Sequence, residues 1–141
     1  MQRVFENISL LSIRWILAYG FYTPAKTKWE NISGVAAWFK DLHIPFPYVN
    51  AYLSASFEMI GVIFLILGLF TRWISIPLMV IMLVAIITVH WSNGFEAGNN
   101  GFEIPLYYLI MLWALFVFGA GQWSVDHLIS KHTKVGKKLN L

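Results

Sequence analysis

An all-α integral membrane protein, folded as a four-helix bundle, is the architecture this sequence predicts. Three observations carry the prediction. Hydrophobic residues make up 58% of the 141 residues and charged residues only 12%, about half the ~25% share of soluble domains. The apolar residues gather in long blocks and do not interleave with charge. Those blocks approach the roughly 20 residues that a helix needs to cross a hydrocarbon core about 30 Å thick. The chain therefore lacks the polar surface a soluble fold presents to water, and its length suits a single domain over residues 1–141.

The first span is placed at about residues 8–25, where Arg14 interrupts the apolar run. A cleaved signal peptide is the competing reading of this block. It wants an unbroken apolar core and a small-residue cleavage site, whereas Arg14 splits the core and Pro24-Ala25-Lys26 is a poor cleavage context. The connection 26–48 is the longest. Within it Val35, Trp38, Phe39 and Leu42 recur at i, i+3, i+4 and i+7 after candidate caps at Asn31 or Ser33. This spacing predicts a short amphipathic helix lying in the headgroup layer between spans one and two.

Span two is placed at 49–70 with Glu58 as its only charge, and span three at 73–91 with His90 near its end. Thr71-Arg72 joins them in a tight antiparallel hairpin. The polar stretch 92–101, with Asn93-Gly94 and Asn99-Asn100-Gly101, predicts a turn before span four at 102–120, which Glu103 opens. Arg3, Arg72, Lys131, Lys134, Lys137 and Lys138 fall on one side of this arrangement, and Lys26, Lys28 and Lys40 on the other. The excess of basic flanks predicts that both termini are cytoplasmic. The tail lysines follow an apolar block without aromatic interleaving, so they predict contact with anionic lipid and no nucleic-acid partner.

Charges inside spans cost about 2.5–3.5 kcal/mol at the bilayer centre on insertion scales, so they face the bundle interior and find partners. Arg14 and Glu58 fall at similar depths and predict a buried charge pair, which either fixes helix register or serves chemistry. Ser54, Glu58, Gly61, Leu65 and Gly68 share one stripe of span two, where small residues permit close helix approach. At the opposite rim, His90, Glu103 and either Lys26 or Lys28 converge as ligand-binding candidates. His90 is the candidate catalytic residue, since imidazole moves a proton or hydrogen-bonds a carbonyl near neutral pH. The bland alternatives are a structural hydrogen bond for His90 and a favourable helix N-terminus for Glu103.

Tyr19, Tyr22, Tyr107 and Tyr108 are candidates to line a pocket for a flat ring. Trp29, Trp73, Trp91 and Trp123 suit interfacial anchoring. The methionines read as gap fillers, and no metal site is assigned. Cysteine is absent, which excludes disulfides and thiol nucleophiles. No phosphate-binding glycine loop, nucleophile elbow or zinc-protease motif occurs.

Arg14, a lysine beyond the first span, Glu58 before Gly61, Gly68 with Thr71-Arg72, His90 and Glu103 together resemble the DoxX family, over about residues 8–123. Gly34-Val35-Ala36-Ala37-Trp38-Phe39, Pro45-Phe46-Pro47 and Val89-His90-Trp91 are most similar to its HvfX-like branch. The resemblance implies a four-span protein of the bacterial inner membrane that accompanies redox or maturation enzymes. For the HvfX-like branch it implies the production of copper-binding peptides. It does not establish catalysis. The expectation is thus a membrane subunit that assists a redox or peptide-maturation partner and holds a quinone or similar small ligand, with a homo-oligomer also open. The alternative is a non-catalytic scaffold or transport component.

Overall fold

The computed structural model describes residues 2–132. Among them are six α-helices and no strand. These are α1 (Gln2–Glu30), α2 (Ile32–Asp41), α3 (Pro47–Leu67), α4 (Thr71–Ala85), α5 (Glu103–Phe118) and α6 (Val125–His132). A π turn at Ile86–His90 and a 3-10 turn at Trp91–Asn93 extend α4, and a second 3-10 turn covers Ala97–Asn99. Lys134, Lys137 and Lys138 lie outside the described residues.

The long helices close into a ring, α1 on α3, α3 on α4, α4 on α5 and α5 back on α1. Leu17 and Phe21 of α1, Val62 and Leu65 of α3, Ile74 and Leu78 of α4, and Leu112 and Leu115 of α5 form its core. The outward faces are apolar as well. Tyr19, Ile63, Trp73, Ile87, Trp113 and Phe118 are all exposed, with Ile87 at 71% and Phe118 at 70%. A helix that is hydrophobic on every side has no face suited to water. α3 and the run Thr71–Asn93 are each long and apolar enough to cross a membrane. α5 is apolar but shorter, at 16 residues.

α1 departs most from the sequence expectation. It runs for 29 residues, roughly 44 Å at about 1.5 Å per residue, and passes through Pro24 to reach Glu30. The stretch 26–30, read as loop, is its last turn. Proline lacks an N–H donor and so removes one ladder bond, but the lost bond does not end this helix. α2 forms where the amphipathic spacing places it. The Asn31 side chain caps it by accepting from the Gly34 N–H at 3.0 Å, and Ala36 and Phe39 pack on Ala51 of α3. α5 stops at Phe118, before the expected 120, because Gly119 turns the chain with φ +79°. α6 was not anticipated.

Candidate functional site

Arg14 and Glu58 do not meet, which corrects the expected pair. Arg14 lies at the end of the ring where α3 stops. Its Nε donates to Leu65 O at 3.0 Å and its Nη2 to Ile66 O at 3.4 Å. Its Nη1 donates to Ala120 O at 2.7 Å and Trp123 O at 3.0 Å. The last carbonyls of a helix have no partner within it, and a guanidinium offers five donors in a fixed fork. Arg14 therefore ties the C-terminus of α3 to the chain after α5.

Asp126 does the complementary task for α4. Its Oδ1 accepts from the Phe70 N–H at 2.7 Å and its Oδ2 from the Thr71 N–H at 3.0 Å, while its own N–H donates to Gly68 O at 3.0 Å. Gly68 has φ +67°, and a Cβ there would stand 2.5 Å from the Arg14 guanidinium. Asn7 and Gln122 add a further bond at 3.2 Å. This polar knot is a clamp of backbone groups.

Glu58 finds its cation elsewhere. Lys28 Nζ lies 2.5 Å from Glu58 Oε1, and the carboxylate side chain is only 2% exposed. The longer α1 delivers Lys28 to the inside of the ring. Beside it, Trp29 Nε1 donates to Ala55 O at 3.2 Å, which fixes the last turn of α1 on α3. Glu58 Oε2 is buried and has no hydrogen-bond partner among the described residues.

The pair borders an open cavity of about 1140 Å³ lined by residues of α1, α2, α3, α4 and α5. Phe21, Phe39, Phe57, Ile81, Met82 and Tyr108 give it an apolar lining. The Tyr108 ring packs on Phe21 at 5.5 Å. Its hydroxyl fills the space beside Gly20, where a Cβ would come within 1.8 Å of it. Ser54, Thr27 and Thr88 add scattered polar atoms.

His90 also borders the cavity, at the end of the π turn. Its Nδ1 lies 2.8 Å from Asn100 O. A carbonyl only accepts, so the neutral ring carries its proton on Nδ1 and leaves Nε2 as an acceptor. Single π turns within helices recur at functional positions.

Of the sequence candidates, the structure brings Lys28, Glu58 and His90 to one cavity. Lys26 instead faces Glu30 across 3.7 Å on the exposed side of α1. Glu103 accepts from Ala97 N–H at 2.9 Å and from the Tyr107 hydroxyl at 3.0 Å, which organises the turn before α5. Neither Lys26 nor Glu103 borders the cavity. Tyr108 does, but Tyr19 and Tyr22 face outward. Asp126 was missed because it caps the start of α4 from 55 residues beyond Thr71, a contact with no local signal. Phe57 was missed because an apolar residue within an apolar span gives no signal of its own.

An all-helical ring with apolar outer faces and an ion pair buried in an apolar cavity defines the class as a membrane-associated helical protein. The chain belongs to the DoxX family, whose model matches residues 9–91. It is 32% identical over 139 residues to an uncharacterized protein of Haemophilus influenzae, covering 93% of this chain and 89% of the relative. It is also 29% identical over 138 residues to a Bacillus subtilis protein named "Putative oxidoreductase CatD", covering 96% of this chain and 97% of the relative. No solved structure matches the chain.

Proposed function

We propose that this protein is a four-span subunit of a bacterial inner membrane, with both termini in the cytoplasm. In this reading it holds a small, largely apolar, ring-bearing ligand of the quinone class for a redox or peptide-maturation partner. The observation that carries the proposal is the Lys28–Glu58 pair set into the wall of an apolar cavity. Replacing a buried ion pair by well-packed apolar residues is often neutral or stabilising, so such a pair makes weak sense as a stability device. Ionisable residues within membrane segments mark ligand and proton pathways. The cavity, at about 1140 Å³, is somewhat larger than the range of about 300–1,000 Å³ common for small-molecule sites.

The membership in the DoxX family and the name of the Bacillus relative support a redox setting. The HvfX-like motifs named above extend it to the maturation of copper-binding peptides. His90, with Nε2 free to accept, is the group proposed to exchange a proton with the bound ligand at the cavity rim. The test is purification in native lipid followed by mass spectrometry of co-purifying small molecules and proteins. A ring-bearing redox-active molecule, retained by the wild type and lost on filling the cavity, is the expected result. A preparation carrying only bilayer lipid would favour the scaffold reading.

A further inference from the structure

We infer that the Lys28–Glu58 pair recognises a hydroxyl group, so that the cavity selects a phenol or the reduced, hydroquinone form of its ligand over the carbonyl or ether counterpart. This deepens the proposed function and rests on the cavity being a ligand site. Three observations carry it. Glu58 borders the cavity, is 1% exposed, and leaves Oε2 without a hydrogen-bond partner among the described residues. An ionised carboxylate only accepts hydrogen bonds, so a ligand atom that satisfies Oε2 must be a donor. Leaving a buried charged acceptor unsatisfied costs more than leaving a neutral one, so the donor contributes strongly to affinity.

Lys28 supplies the other half. Its ammonium has three donors, and Glu58 Oε1 is its hydrogen-bond partner among the described residues. A spare N–H beside a spare carboxylate oxygen is a donor–acceptor couple, and a hydroxyl is the smallest neutral group that is both acceptor and donor. A quinone carbonyl or a methyl ether accepts from Lys28 but leaves Glu58 Oε2 bare. The surrounding Phe21, Phe57 and Tyr108 favour an aromatic body behind that hydroxyl. The site thus couples apolar burial to one specific polar contact, the arrangement by which pockets orient ligands.

The test uses the full chain in phosphatidylcholine nanodiscs, with para-propylphenol and its methyl ether as probes. Binding is followed by tryptophan fluorescence and corrected for partition into protein-free discs. A hydrogen bond to a charged group predicts at least about tenfold tighter binding of the phenol. The paired change Lys28→Met with Glu58→Leu leaves no charge without a partner, so the fold is retained, and it should bring the two affinities together. Equal affinities in the wild type would overturn the hydroxyl inference while leaving the cavity as a ligand site. Binding of neither probe would overturn the ligand-site reading itself. A phenol preference that survives the paired change would show that another group reads the hydroxyl.

Discussion

At the scale of single residues, Arg14 and Lys28 do different work. Lys28 and Glu58 are each other's ionic partner, so truncating either one leaves the other charge unpaired within the ring. Lys28→Met and Glu58→Leu should each lower stability by about 3–5 kcal/mol, and the double change should recover most of it. Arg14 bonds backbone carbonyls of Leu65, Ile66, Ala120 and Trp123 instead. Arg14→Met should cost about 1–3 kcal/mol for each acceptor left bare, and adding Glu58→Leu should not rescue it. Thermal unfolding of the single and double variants in detergent separates the cases. Rescue of Arg14→Met by Glu58→Leu would contradict the pairing described.

At the scale of elements, the end of α1 decides the site. The sequence pattern located the amphipathic α2 and the apolar α3, because each follows from local spacing or composition, but the turn expected at Thr71-Arg72 falls at 68–70, with Thr71 and Arg72 already inside α4. The partner of Glu58 was not legible. Two buried charges at similar depth read as a pair, and nothing local signals that a helix continues through Pro24 to turn Lys28 inward. Nor does a single arginine announce that its partners are helix-end carbonyls, since every helix has them. The rim was half legible, for His90 reaches the cavity whereas Glu103 serves its own turn.

The π turn that ends α4 is held to the following loop by the His90–Asn100 bond. His90→Ala should impair ligand turnover in the native membrane system while folded yield stays near wild type, which size-exclusion recovery beside activity measures. Equal loss of both would make His90 structural. Gly20→Ala should displace Tyr108, whose hydroxyl occupies the space of the added methyl, and weaken ligand retention without loss of Lys28 or Glu58. Unchanged retention would remove Tyr108 from the site.

At the scale of the whole molecule, the ring has a tied end and a hollow end. Arg14 and Asp126 fasten backbone at one, and the cavity with Lys28, Glu58 and His90 occupies the other. At the hollow end Lys26 and Lys28 are both ion-paired, with Glu30 and Glu58 respectively. Reporters inserted near Asn99 and fused after Leu141 should fall on opposite membrane sides, the latter in the cytoplasm. Reporters on the same side would refute the four-span arrangement. Equilibrium binding of duroquinol, kept reduced under nitrogen, to the wild type and to Ala85→Trp in nanodiscs tests the cavity as a ligand site. Ala85 borders the cavity and is not part of the ion pair. Binding is expected to saturate, and the cavity-filling indole to lower it by at least about tenfold, roughly 1.4 kcal/mol. Equal binding to a folded Ala85→Trp variant would contradict the ligand-site reading.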